Sequence, residues 1–121
     1  MNTLFKKSVA EFVGTFVLVL FIFCFTEDCN VGRPDSNIAP LFIGLTVSIC
    51  ITLIAPLTQA GFNPARDFGP RIVAWLAGWG SAAFPDSVGG VFWVYILGPI
   101  IGGALATYFF TLVLEPAMRK K

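Results

Sequence analysis

The chain has 121 residues, of which 56% are hydrophobic, 15% aromatic and 12% charged, and its net charge is +1. Soluble domains carry about 25% charged residues, so too little polar surface is present to coat a fold in water. A near-neutral charge with no basic run excludes nucleic acid as a partner, and the lack of His removes the commonest metal ligand and general base.

A membrane span needs ~20 largely apolar residues. The first such stretch covers residues 8–26 and contains one charge, Glu11. Lys6-Lys7 ahead of it imitates the start of a signal peptide, but Glu11 interrupts the apolar region and no A-x-A pattern follows, so the stretch reads as a retained span. A lone carboxylate at membrane depth needs donors. One candidate is Lys7, four residues earlier.

Polar, turn-prone chain at 27–35 leads to a second, uncharged span at 38–57, and a third covers 91–114. Cys24, Cys29 and Cys50 form no metal or disulfide spacing, and buried thiols in apolar runs behave as small hydrophobes. Trp75, Trp79, Trp93 and Tyr95 fall where membrane edges are expected.

Residues 60–79 between the second and third spans are the unusual segment. Arg66, Asp67 and Arg71 precede an apolar run of eight, 72–79, which covers only ~12 Å as a helix against a hydrocarbon core of ~30 Å. Asn63 is a favoured N-cap, Pro64 suits the first helical position, and Asp67 falls in the first turn. Two readings fit: a re-entrant half-helix beside a polar cavity, or an amphipathic helix lying flat on the headgroups.

The stretch Asn63-Pro64-Ala65-Arg66-Asp67-Phe68-Gly69-Pro70-Arg71 resembles the second signature loop of the aquaporin superfamily, and Asp67 directly after Arg66 resembles its glycerol-facilitator branch. Ala10-Glu11-Phe12-Val13-Gly14-Thr15-Phe16 is similar to the fourth helix of that family. Ala39-Pro40-Leu41-Phe42-Ile43-Gly44-Leu45 is similar to the fifth, and Gly98-Pro99-Ile100-Ile101-Gly102-Gly103 to the sixth. The resemblance implies an all-α membrane fold of three transmembrane helices and one re-entrant half-helix, a single unit over residues 1–121 equivalent to the second of two inverted repeats. The first repeat does not accompany it, which implies a piece of a longer or split channel, or pairing with a second half-channel or further copies of this chain.

Several roles follow from the resemblance. The amide of Asn63 donates to the permeant, Pro64 and Ala65 complete the loop, and Arg66 is the filter residue. Its rigid fork of donors suits water and hydroxyls and raises a barrier to cations, although an Arg snorkelling to the surface is the alternative. Gly44 and Ala60 take the places of larger residues at the constriction, and the nonstandard Phe62 lies beside them. A wide passage favours glycerol, related polyols and urea as well as water. Tyr95-Ile96 replaces a Pro-Leu type pair common in that branch. Glu11 accepts hydrogen bonds from the loop, and Asp67 supports it.

No group is left to carry enzyme chemistry, and no cofactor or metal is implied. Gly98-x-x-x-Gly102 lets helices approach closely, either within the unit or at a dimer seam. Three spans put the ends on opposite sides, and Arg33, Arg119, Lys120 and Lys121 outweigh Lys6 and Lys7, which favours an inside C-terminus in a multi-pass protein of the cell (inner) membrane. Expected partners are the lipid bilayer and small neutral solutes, and the expected function is passive conduction. A non-conducting fragment or an interaction subunit that joins full-length relatives is the alternative.

Overall fold

The computed structural model describes residues 3–84 and 87–120, so Lys121, counted in the charge asymmetry, lies outside the described residues. Among the described residues, three helices are long and apolar enough to cross a bilayer: α1 (Thr3–Thr26), α2 (Ala39–Thr58) and, after the shorter α3 (Pro64–Leu76), α4 (Gly89–Arg119). At ~1.5 Å per residue the three span ~30 Å or more, the thickness of the hydrocarbon core, whereas the 13 residues of α3 reach only ~20 Å.

Both outer spans are longer than their apolar stretches. α1 is already helical at Thr3, the first described residue, with no breaker between it and Ser8. α4 continues past Leu114 through Glu115-Pro116, since Pro at the start of a turn forfeits no needed N–H, and Arg119 pairs with Glu115 one turn earlier at 2.8 Å. α3 starts at the motif itself rather than at the apolar run, and it ends at Leu76, with Ala77 as its cap and Gly78 next at φ 85°. A 3₁₀ turn at Gly80–Ala82 follows.

α4 is not uniform. π-helical turns occupy Phe92–Leu97 and Phe110–Leu114. Each widens the helix and shifts the facing of the residues beyond it. The first turn carries Val94 and Tyr95 inward beside Val91, and Leu4, Phe68 and Phe84 close over them. Tyr95 is therefore buried at 3% exposure rather than an interfacial anchor, while Trp75, Trp79 and Trp93 are exposed.

α1 sits centrally, with α2 on one side and α4 on the other. Its contact with α4 is a backbone-to-backbone approach. A Cβ on Gly102 would overlap the carbonyl of Phe12, and one on Gly98 would stand 3.1 Å from the Ser8 carbonyl oxygen. The Gly98-x-x-x-Gly102 face thus packs within the unit. Backbone cannot yield as a flexible side chain can, so Gly102→Val is expected to lower stability by about 1–3 kcal/mol or more, read as a lower melting temperature in detergent, whereas a Cβ on Gly44 meets nothing within 4 Å and Gly44→Ala should leave that temperature unchanged.

α2 is the peripheral span. Leu41, Leu45, Ile49, Leu53 and Leu57 recur at every fourth position and are all exposed, as a lipid-facing helix requires. Gly44, Ser48 and Thr52 follow the same spacing on a neighbouring strip. The hydroxyls of Ser48 and Thr52 donate to the carbonyls of Gly44 and Ser48 at 2.9 and 2.8 Å. This back-bonding satisfies polar groups at membrane depth without a second helix.

Candidate pore site

The loop from Gln59 to Phe62 joins α2 to α3. Gln59, Ala60 and Phe62 have φ of 69°, 55° and 54°, left-handed conformations that cost residues with a Cβ about 1–3 kcal/mol each. Such a loop persists only if its surroundings hold it. Glu11, 0% exposed on α1, provides the hold: its Oε1 accepts the N–H of Gly61 at 2.9 Å and its Oε2 that of Phe62 at 2.7 Å. Bonds to a carboxylate contribute about 1.5–3 kcal/mol each, the same order as the strain.

Other contacts complete the support. Thr15, one turn along α1 from Glu11, donates from Oγ1 to the Glu11 and Phe62 carbonyls at 2.8 and 3.2 Å. The ring of Phe62 fills the space where Gly14 lacks a side chain. Phe62 and Ala60, expected at the constriction, are 5% and 0% exposed and pack with Cys50 in the interior. The left-handed turns rotate both side chains inward, so the loop turns main chain outward instead.

Asn63 caps α3: its Oδ1 accepts the N–H groups of Ala65 and Arg66 at 3.0 and 3.3 Å. Its Nδ2 is thereby aimed away from the helix and has no acceptor among the described residues. Pro64 occupies the first helical position. Arg66 is anchored through one nitrogen, with Nη1 donating to the carbonyls of Ala60 and Gly61 at 2.9 Å each. Its Nε–H and Nη2 donors have no acceptor among the described residues, and Arg66 lines an open cleft of about 370 Å³ together with Gln59, Asp67, Pro70, Arg71 and Trp79.

Asp67 borders the same cleft as Arg66. It receives Nε and Nη2 of Arg71 at 2.7 and 3.1 Å, an i,i+4 fork-to-carboxylate pair with both side chains largely buried. Arg71 also donates to the Ala83 carbonyl at 3.1 Å and stands 4.7 Å above the Tyr95 ring, which ties α3 to the segment beyond it and to α4. Gly44 is exposed on α2. The residues that the sequence did not single out are Thr15, Thr58 and Arg71 as a brace. Their signal is weak because each makes at least one contact with a segment distant in sequence, Phe62 for Thr15, Tyr95 for Thr58, and Ala83 and Tyr95 for Arg71.

These features define an all-α, multi-pass integral membrane protein in which a strained polar loop, locked between spans, presents a capped helix start and a half-committed guanidinium to an open cleft. A family model for the major intrinsic protein family matches residues 2–110, and the chain belongs to that family, the aquaporin superfamily, in its glycerol-facilitator branch. It is 43% identical over 102 residues to the glycerol uptake facilitator protein of Escherichia coli K12, covering 81% of this chain and 35% of that protein. It is 41% identical over 104 residues to the propanediol uptake facilitator PduF of Citrobacter freundii (83% and 37%), and 43% over 101 residues to the glycerol uptake facilitator protein of Pseudomonas aeruginosa (80% and 35%). The matched stretch thus spans about a third of the length of these relatives, consistent with a C-terminal half. Channels of this family are not enzymes.

Proposed function

We propose that the chain supplies one half of a channel that passes small uncharged solutes (glycerol, related polyols, urea and water) across the cell (inner) membrane, completed by a second half-channel or another copy of the chain. In this reading residues 1–121 form one half-channel unit, and residues 60–79 dip into the bilayer as a re-entrant loop and half-helix. The alternative of a flat helix on the headgroups fits less well with a loop clamped to Glu11, since Glu11 lies within the α1 span. The single observation that carries the proposal is the posture of Arg66: one nitrogen is spent on the Ala60 and Gly61 carbonyls, and the residue lines the cleft.

The physical steps follow from this arrangement. The start of α3 gathers orphan N–H groups and carries roughly half a positive charge. A hydroxyl or water oxygen accepts from the free donors of Arg66 and from Asn63 Nδ2, while a cation meets fixed positive charge with no compensating anion, since Asp67 is committed to Arg71. Pro64 and Ala65 hold the helix start. Gly44 and the hydroxyl-bearing strip beyond it leave the facing wall open. Ala60 acts through its carbonyl, and Phe62 by filling the gap at Gly14. That the relatives are named for glycerol and propanediol uptake supports small polyols as the permeants.

The test is stopped-flow light scattering on proteoliposomes containing this chain, alone and with a full-length relative's first half. Glycerol shrinkage and recovery faster than in empty liposomes is expected in the second case at least. Background flux in both would overturn conduction and leave a non-conducting subunit, the reading to which the long exposed apolar strip of α2 lends itself.

A further inference from the structure

The turn-rich chain between α1 and α2 has no part in the proposed conduction, yet it walls a second cavity. About 210 Å³ of space lies between the last turn of α1, this loop and the first turns of α2. Phe25, Pro34, Pro40 and Ile43 make the lining largely apolar, and Phe42 packs against Phe25 with ring centroids 5.6 Å apart. Arg33 and Ser36 add polar groups from the loop itself. α1 ends at Thr26 and α2 starts at Ala39, so the cavity stands where two apolar spans leave the hydrocarbon. One part of it belongs to the spans and the other to the polar connection between them.

Arg33 is held through one nitrogen. Its Nη1 donates to the Thr26 carbonyl at 2.7 Å and pairs with Oδ1 of Asp28. Its Nε–H and Nη2 have no acceptor among the described residues, and the Ser36 hydroxyl has no partner among them. The pair is open to the surroundings, since the Asp28 side chain is 90% exposed and that of Arg33 38%. Asp35, between the lining residues Pro34 and Ser36, is exposed and gives one oxygen to the Asn37 N–H at 2.9 Å. These charges discriminate between occupants. A purely anionic headgroup meets one guanidinium but three nearby carboxylates, Glu27, Asp28 and Asp35, and like charges repel. A headgroup of both signs satisfies both sides. Its phosphate accepts from the planar fork of Arg33, its ammonium donates to Asp28, and its acyl chain covers the apolar wall.

We propose that the cavity between α1 and α2 binds an aminophospholipid of the phosphatidylethanolamine type, with the phosphate on Arg33 and Ser36, the primary ammonium on Asp28, and the start of an acyl chain between Phe25 and Ile43. The site needs the spans to cross a bilayer and does not need the chain to conduct.

Native mass spectrometry of the detergent-purified full chain tests this, with phosphatidylethanolamine, phosphatidylcholine and phosphatidylglycerol of identical acyl chains titrated separately. The first is expected to bind about threefold or more tightly than either of the others. Choline carries the phosphate and a positive charge but no N–H donor, and the glycerol headgroup carries no cation. Arg33→Gln is expected to weaken ethanolamine and choline lipids alike, because both present the phosphate. Asp28→Asn is expected to erase the preference for ethanolamine over choline and to leave choline binding unchanged. Both side chains lie at the surface, so the melting temperature in lipid-free detergent should stay at the native value in both variants.

Equal binding of the three lipids by the native chain overturns the proposal. So does tightest binding of phosphatidylglycerol, which would put the contact on exposed basic residues such as Arg119 and Lys120 at the end of α4. A preference for ethanolamine that survives both Arg33→Gln and Asp28→Asn overturns the assignment to this cavity. None of these results bears on solute flux.

Discussion

Glu11→Gln is expected to destabilise the protein by about 2–4 kcal/mol, read as a fall in the melting temperature of detergent-solubilised protein and in its resistance to SDS. The two side chains have nearly the same shape, so packing is conserved and the change falls on hydrogen bonding. Glutamate offers two acceptor oxygens, one each to the N–H groups of Gly61 and Phe62. Glutamine offers one, and its amide turns N–H groups toward a second N–H. One bond is lost and a buried donor faces a donor, in a residue with 0% exposure where water cannot substitute.

The left-handed backbone at Ala60 and Phe62 then has less to hold it, and the carbonyls that anchor Arg66 move with it. Loss of flux should accompany the loss of stability. The control is Asp28→Asn. Asp28 is likewise a carboxylate with a partner, Arg33, but its side chain is 90% exposed, and exposed pairs contribute about 0–1 kcal/mol. If both variants melt together with the native protein, the loop does not depend on the buried carboxylate.

Much of this organisation is legible in the residue string, and what escapes it has identifiable reasons. Asn63-Pro64 declares a helix start because capping is local: the acceptor oxygen and the N–H groups it serves lie within three residues. A carboxylate inside an apolar run declares that donors must exist, but not which ones, since the loop N–H groups are 50 and 51 residues away. Gly98 and Gly102 announce a close approach by their spacing, and only the fold shows that α1 is the partner.

Three features run against local reasoning. Tyr95 sits among tryptophans at the edge of an apolar stretch and so reads as an interfacial anchor, yet the π turn at Phe92–Leu97 rotates it into the interior. No periodicity announces an inserted residue in a helix. Ala60 and Phe62, counted back from Asn63, fall where a passage wall is expected, but positive φ at both reverses which side of the loop is main chain and which is side chain. Arg71 is legible as the last residue of the loop motif, but not as a brace, because beyond Asp67 on its own helix its partners, the Ala83 carbonyl and the Tyr95 ring, belong to other segments.

In the channel proposed above, Arg66→Ala is expected to convert a solute-selective passage into one that leaks cations. Among the described residues lining the cleft, this guanidinium is the cation that no carboxylate neutralises, because Arg71 is committed to Asp67. A unit charge a few ångströms from the path of an ion contributes on the order of 4 kcal/mol at an effective dielectric constant of 20. Deleting half to all of that barrier raises leak by about 30- to 1000-fold. Glycerol flux should change far less, by about tenfold at most, since a neutral solute loses hydrogen-bond donors but no charge repulsion. Potassium and proton leak, followed by a pH-sensitive dye in liposomes with a potassium diffusion potential, separates the two effects. Arg66→Lys keeps the charge but replaces the planar guanidinium, whose Nη1 reaches both the Ala60 and Gly61 carbonyls, by a flexible ammonium. It should restore the cation barrier in large part while leaving the loop less well held. Equal leak in the native chain and Arg66→Ala would mean that the guanidinium lies away from the path of the solute, and the charge barrier would then fall to the α3 helix start alone.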